Sequence, residues 1–136
     1  MSKIYLAGRF SRRPELNSLA RYLRDIYGHE IVSRWVRPGD DHVISTGPSK
    51  EADDSERRRF AVEDCEDLDA ADWVISLMEQ PRSDGRGGRH IEFGYALAQK
   101  KRLTILGPRE TVFHHLDCVE HFENIDEFLD ALSSEV

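Results

Sequence analysis

The amino-acid sequence predicts an α/β fold: one doubly wound, mainly parallel sheet of about four to five strands with helices on both of its faces. Two observations carry this prediction. Short apolar runs alternate along the chain with helical patterns, and one run, WVISLM (73–78), is apolar throughout. An uninterrupted apolar strand is typical of a parallel sheet, because helices bury both faces of such a sheet. The predicted architecture is flavodoxin-like or Rossmann-like.

The first half of the chain contains two predicted strands around one helix. KIYLA (Lys3–Ala7) and EIVSRW (30–35) are the two apolar runs. Between them, Pro14 suits the first turn of a helix whose apolar residues recur at helical spacing until Gly28. Residues 36–54 show no sustained period, and so long a loop in a compact domain is either mobile or functional.

The second half contains two further predicted strands and four predicted helices, one of them short. A helix is predicted over about 54–71, and WVISLM follows it as the third strand. The next helix is predicted over about 90–100, and RLTILG (102–107) forms the fourth strand. TVFHHL suits a short helix, and Asn124 with Glu127 resembles a capping box for the last one. The second helix is expected to turn three side chains inward: Phe60, Cys65 and Leu68.

Length and composition indicate a single domain over residues 1–136 that acts on a small molecule. A net charge of −7 argues against a nucleic acid polymer as partner, because such binding needs a basic face. No segment approaches the roughly 18 apolar residues of a membrane span, so we expect no membrane partner. Cys65 and Cys118 lack CxxC or metal-ligand spacing, which favours a reducing cytoplasm. We expect neither a cofactor nor a metal.

Arginines follow the predicted strands at one edge of the sheet. In a parallel sheet, ligands bind at the carboxyl ends of the strands, where the loops begin. Two of these loops, GRFSRRP and SDGRGGRH, combine glycines with arginines before a helix. Free amide groups at a helix start attract anions, so both loops are candidate phosphate cradles, although neither matches a Walker or GxGxxG motif. Solvated arginines and purely conformational glycines remain the alternatives. The candidate binding residues are Gly8, Arg9, Phe10, Ser11, Arg12, Arg86, Gly87, Gly88 and Arg89.

Carboxylates near the same edge indicate a hydrolytic or transfer reaction. Glu92 is expected in the first turn of the third helix, where the helix dipole keeps a carboxylate ionised, as a nucleophile requires. Asp64, in the preceding helix, is a second carboxylate, whereas Asp72 begins a strand and is expected at the opposite end. Paired carboxylates suit cleavage of a glycosidic bond, and a phosphate cradle beside them would make the substrate a nucleotide.

Three segments carry a family resemblance: KIYLAG, EDCEDLDAADWVISL and HIEFGYALAQKKRLTIL. The most specific part is E-x-G-x-A after the glycine loop, here Glu92, Gly94 and Ala96. Over most of its length the chain resembles the nucleoside 2-deoxyribosyltransferase superfamily, including its branch of 2′-deoxynucleoside 5′-phosphate N-hydrolases.

The resemblance implies roles for particular residues. Glu92 would form a covalent deoxyribosyl intermediate, Asp64 would assist departure of the base, and Tyr5 would orient the nucleophile. Residues 8–13 would bind the 5′-phosphate, as in the hydrolase branch. Arg86 stands where the transferases hold the sugar 5′-hydroxyl with an aspartate, which favours phosphorylated substrates.

The resemblance also implies a homodimer or higher homo-oligomer, in which the segment after the fourth strand completes a neighbour's site. Arg109 and His114 are the candidates in that segment. The adjacent His114 and His115 are interpreted as surface histidines and His90 as a helix-start residue. Trp35 would either stack on a base or pack in the core.

Two alternatives to this enzyme stay open: a nucleotide-binding sensor or partner subunit without turnover, and a glycosidase that acts on NAD or a ribonucleotide. The sequence leaves the preferred base open, as well as the choice between water and another base as acceptor.

Overall fold

Five parallel strands form the sheet in the computed structural model of the chain, which describes residues 1–37, 50–79 and 87–135. The strand order is β2-β1-β3-β4-β5, so β1 and β3 meet where the winding direction changes. The strands are β1 Lys3–Ala7, β2 Glu30–Ile31, β3 Trp73–Leu77, β4 Arg102–Leu106 and β5 Val119–Phe122. Every residue of β3 is buried, as its uninterrupted apolar sequence predicts.

Within the described residues, four α-helices cover the two faces of the sheet, and this confirms the predicted α/β class. They are α1 Arg13–Tyr27, α2 Lys50–Ala70, α3 Gly88–Ala98 and α4 Ile125–Ser134. Tyr5 of β1 reaches α3, whereas Trp73, which pairs with Ile4, packs its ring against Phe128 of α4. Because neighbouring residues on a strand point to opposite faces, α3 and α4 lie on opposite sides of the sheet.

The second strand is shorter than the predicted 30–35. After Ile31 the chain leaves the ladder and forms a short 3-10 helix, Arg34–Val36. Side chains there accept hydrogen bonds from the backbone. The Ser33 hydroxyl accepts one from the Leu6 amide at 3.0 Å, and the Asp67 carboxylate accepts one from the Arg34 amide at 2.9 Å. These bonds satisfy the local backbone without further strand pairing.

The helix boundaries also differ from the predictions at two points, and the burial of α2 differs at one residue. The second helix begins at Lys50, before the predicted 54, and α3 begins at Gly88, two residues before the predicted 90. Phe60 and Leu68 of α2 are buried as predicted, but Cys65 is exposed. Position 65 follows Phe60 by five residues, which lies off the inward stripe of a helix. Asn124 caps α4 as predicted, since its side chain accepts the Glu127 amide at 2.8 Å.

The polar segment before Asn124 forms the edge strand β5, which was not predicted as a strand. Its Glu120 carboxylate accepts two bonds from Arg102 of β4, at 2.6 and 3.0 Å, and a third from Thr104. Charged side chains are common on edge strands, where they discourage pairing with other chains.

Candidate active site

Tyr5 and Glu92 meet where β1 faces α3. Tyr5 is fully buried in β1, and its hydroxyl donates a hydrogen bond to Oε2 of Glu92. Because α3 begins at Gly88, Glu92 lies in the second helical turn, and the prediction of a first-turn glutamate is wrong. The two residues are 87 positions apart in the chain, and they meet because α3 packs on the face of the sheet to which the Tyr5 side chain points.

Burial controls the charge of Glu92. Part of the residue reaches the surface, but its carboxylate lies under neighbouring atoms, and this burial raises its pKa to about 8. The bond from Tyr5 acts in the opposite direction and lowers the pKa, because it favours the ionised form. The sequence predicted that the helix start keeps Glu92 ionised. In the structure, burial instead makes Glu92 a carboxylic acid that holds its proton at neutral pH.

Asp64 of α2 is the third member of this group. Its negative charge raises the pKa of Glu92 and of the Tyr5 hydroxyl, after the larger effect of burial in each case. The three residues that the sequence predicted as the catalytic group thus lie together, on the face of the sheet that α2 and α3 cover: Tyr5, Asp64 and Glu92. Asp72 lies at the opposite end of the strands as predicted, where its carboxylate accepts the Lys3 amide at 3.2 Å.

The loop after β1 places its arginines at the carboxyl edge of the sheet. A side chain at Gly8 would bring its Cβ within 3.0 Å of Leu16 Cδ1, so α1 packs closely on this loop. Arg9 Nη1 lies 2.7 Å from a Glu79 carboxylate oxygen, and Arg12 Nε binds the other oxygen. Ser11 is exposed, while the side chain of Phe10 lies outside the described residues. Glu79 was not among the predicted site residues, so its pairing with both arginines is new.

The glycine loop is described only from Gly87 onward, and Arg86 lies outside the described residues. Gly87 precedes α3 with a φ of 83°, which favours glycine, and Gly88 is exposed. Arg89 is buried, and its Nη2 lies 2.9 and 3.1 Å from the two carboxylate oxygens of Glu110. The guanidinium that was predicted to bind phosphate is therefore in contact with a carboxylate.

The segment between β4 and β5 packs on the start of α3. His90 Nε2 lies 3.0 Å from Glu110, which also binds Arg89. His114 is 1% exposed, so its interpretation as a surface histidine is wrong. Its Nδ1 accepts the Glu110 amide at 3.0 Å, its ring packs against Phe93, and burial lowers its pKa to about 4. These contacts hold His114 within its own chain.

Arg109 and His115, in the same segment, are exposed. Trp35 belongs to the core: it is buried, and its Nε1 donates to the Leu6 carbonyl at 2.7 Å. Across residues 1–37, 50–79 and 87–135, no group of three or more histidine, cysteine or acidic side chains is arranged to hold a metal ion. Within the same ranges, every helix is too short or too polar to cross a lipid bilayer.

The fold and the site together define a doubly wound α/β protein with a tyrosine-bound carboxylate as its candidate reactive group. The chain belongs to the nucleoside 2-deoxyribosyltransferase family, whose sequence profile matches residues 4–129. The match includes Tyr5, Asp64 and Glu92, and it confirms the superfamily resemblance seen in the sequence.

Among solved structures, the chain is similar to the CMP N-glycosidase BcmB of Clostridium botulinum. The TM-score is 0.62 at 19% sequence identity, and the alignment covers 97% of this chain and 98% of that one. At this identity the similarity is one of fold. The comparison with curated proteins gives no match.

Proposed function

We propose that this protein cleaves the N-glycosidic bond of a 2′-deoxynucleotide or 2′-deoxynucleoside through a covalent glycosyl-Glu92 intermediate. The observation that carries the proposal is the Tyr5 hydroxyl bound to Glu92, with the charge of Asp64 beside them. Family membership supports the same chemistry, because the family is described by its transfer of deoxyribosyl groups. The sugar then passes to water or to another base.

The first chemical step breaks the bond between the anomeric carbon and the base nitrogen. The ionised Glu92 attacks the anomeric carbon through an oxocarbenium-like transition state, and the electron pair of the broken bond leaves with the base. Asp64 carries the proton that Glu92 has given up before the attack, and it gives this proton to the departing base. The Tyr5 hydroxyl holds one oxygen of Glu92, so that the other is directed at the sugar.

The second step releases the sugar from Glu92. Water, or the nitrogen of a second base, attacks the anomeric carbon while the Asp64 carboxylate takes up the proton of the attacking group. The bond to Glu92 breaks, and its electron pair returns to the carboxylate. Asp64 returns this proton to Glu92, so both residues are again in their starting states, and the steps consume only the substrate and the water or base that accepts the sugar.

The loop after β1 is proposed to bind the 5′ end of the substrate. Its arginines lie at the carboxyl edge between β1 and β3, where strand order changes and ligands bind in such sheets. The proposed residues are those of the two loops: Gly8, Arg9, Phe10, Ser11, Arg12, Arg86, Gly87, Gly88 and Arg89.

A ribonucleotide is the second candidate substrate. The similarly folded BcmB is a CMP N-glycosidase, and CMP is a ribonucleotide. This similarity of fold supports a ribonucleotide as a substrate of the present chain. The catalytic roles proposed for Glu92 and Asp64 would be the same.

We further propose that the chain is one catalytic domain that works as a homodimer or higher homo-oligomer. Apolar side chains are exposed on α3 and on the segment between β4 and β5, which supports self-association through this face. Arg109 is the remaining candidate to reach a neighbour's site, because His114 is buried in its own chain. Cys65 and Cys118 are free and exposed, and this supports a reducing, cytoplasmic setting.

The proposal is tested by release of free base from a panel of deoxynucleosides, their 5′-monophosphates, ribonucleotides and NAD. We expect release from at least one deoxynucleoside or deoxynucleotide, and a loss of about 10³-fold or more in the Glu92→Ala variant. Adding a second base separates transfer from hydrolysis. Measurable ligand binding without any base release would contradict the enzyme and support the sensor. Retained turnover in a folded Glu92→Ala protein would contradict the mechanism.

A further inference from the structure

Glu79 occupies the place between the two arginines of the β1 loop. It follows β3, its side chain is 11% exposed, and its two carboxylate oxygens bind different guanidinium groups. Arg9 lies 2.7 Å from one oxygen, and Arg12 binds the other while also contacting Glu15. A carboxylate held in this way uses the donors that a phosphate group would need.

The charge of Glu79 is held at this position. Its hydrogen bonds from Arg9 and Arg12 lower its pKa, so the carboxylate is ionised at neutral pH. One unit of negative charge therefore offsets part of the positive charge of the two arginines. A phosphate that approaches them must displace Glu79 or accept a carboxylate close to its own oxygens, and both are unfavourable.

The surroundings of the arginines reinforce this effect. A cavity of about 440 Å³ beside Arg12 and Glu79 is also lined by three further acidic residues. These are Glu15, Glu123 and Asp126. Among the lining residues, Arg12 is the single basic one, so a phosphate dianion at this edge meets a largely negative lining.

We propose that Glu79 is a specificity-determining residue: it competes with the substrate 5′-phosphate for Arg9 and Arg12, and so weakens the preference for nucleotides over nucleosides. This inference rests on the proposed function, because it assumes that the β1 loop receives the 5′ end of the substrate. It assigns to Glu79 no part in bond cleavage.

The test compares a nucleoside with its own 5′-monophosphate. In Glu79→Gln the side chain keeps its size but loses its charge, which removes the ion pairs of Glu79 with the two guanidinium groups. The ratio of kcat/KM for the monophosphate to kcat/KM for the nucleoside should rise about tenfold or more, the effect of one charge-assisted contact. Glu123→Gln is the matched control: it removes the same charge from the same cavity without touching either arginine, and its ratio should stay near that of the wild type.

Two kinetic outcomes would overturn the proposal. A ratio that is unchanged or lower in Glu79→Gln would mean that Glu79 does not compete with phosphate, and a lower ratio would mean that it holds the arginines in place to bind phosphate. An equal rise in Glu79→Gln and Glu123→Gln would mean that overall charge, rather than the contact with the arginines, determines the preference.

A binding measurement keeps this inference separate from the proposed function. Inorganic phosphate is titrated calorimetrically into the wild type, Glu79→Gln and Glu123→Gln, and it should bind about tenfold more tightly to Glu79→Gln alone. If no substrate releases its base, the proposed function fails, while the phosphate titration still tests Glu79. Thermal unfolding checks each variant, and Glu79→Ala replaces Glu79→Gln if the latter does not fold. Equal phosphate affinity in all folded variants would overturn the proposal.

Discussion

At the scale of single residues, the proposed nucleophile rests in its protonated form. Burial raises the pKa of Glu92 to about 8, and the Tyr5 hydroxyl partly offsets that rise. A buried, protonated glutamic acid must lose its proton before it can attack. The site therefore surrounds its proposed nucleophile with an environment that favours the neutral form of Glu92. The pH dependence of the reaction rate measures this effect.

The first prediction concerns the pH dependence of activity and the Tyr5→Phe variant. The pair of Glu92 and Asp64 reacts while it holds one proton, so kcat/KM of the wild type should be high at neutral pH and fall above about 8, where that proton is lost. Tyr5→Phe removes the hydrogen bond that lowers the pKa of Glu92, so the falling limb should move to higher pH. At pH 7 the rate should fall about tenfold or more.

Tyr95→Phe is the matched control for this measurement. Its hydroxyl bonds to Asp69 of α2 at 2.6 Å rather than to Glu92. The same substitution there should leave the pH profile of kcat/KM unchanged. A Tyr5→Phe profile that coincides with the wild type, or that moves to lower pH, would show that the hydroxyl does not stabilise the ionised nucleophile.

The proposed catalytic residues could be named from the sequence, but the carboxylates that bind the arginines could not. Tyr5, Asp64 and Glu92 stand in recognisable motifs, and the alternation of strands and helices places their elements side by side. Glu79 and Glu110 stand in no such motif. Their bonds to Arg9 and Arg89 join positions 70 and 21 apart, and no local pattern specifies such contacts. An arginine in a loop thus indicates a positive charge without showing which carboxylate already binds it.

At the scale of elements, the buried strands were predictable and the edges were not. β3 is apolar throughout because helices cover both of its faces, and its sequence shows this directly. β2 and β5 are edge strands, and they carry polar residues that bond to neighbouring elements. Ser33 ends β2 by bonding to β1, and Glu120 bonds β5 to Arg102 of β4. In the hydrophobic pattern of the sequence, such polar residues are typical of a loop rather than of a strand.

The start of α3 shows how a small shift in an element changes the chemistry of the site. Glycine is a poor helix former, so the pattern placed the helix start at 90, after Gly88. In the structure Gly87 caps the helix with a φ of 83°, and Gly88 is its first residue. This moves Glu92 from the first turn to the second, where the dipole is weaker and burial dominates its pKa.

At the scale of the whole molecule, exposed apolar side chains lie on α3 and on the segment that packs against its start. Val112 is 79% exposed, Phe113 58% and Leu116 43%, all in the segment between β4 and β5, and Ile91 of α3 is 72% exposed. Contacts of His90 and His114 tie this segment to α3. Burying these side chains in a second copy would remove apolar surface from water next to both sites.

The prediction at this scale is that Phe113→Glu disrupts the oligomer. A charge at the centre of an apolar interface cannot be desolvated without a partner, so the variant should elute as a monomer when the wild type elutes as a dimer or larger assembly. Size-exclusion chromatography with light scattering measures the mass. Ile26→Glu is the control, because Ile26 is also exposed, at 62%, but lies on α1. A monomeric wild type, or an intact assembly in Phe113→Glu, would contradict the proposed face.

The most direct test of the covalent glycosyl-Glu92 intermediate is the configuration of the product at the anomeric carbon. Methanol is supplied as acceptor with a β-nucleoside or β-nucleotide substrate that the enzyme cleaves, and the methyl glycoside is examined by NMR immediately after the reaction. Two successive displacements at the same carbon restore its configuration, so the account predicts the methyl β-glycoside. The methyl α-glycoside would show a single direct displacement and would contradict Glu92 as the nucleophile.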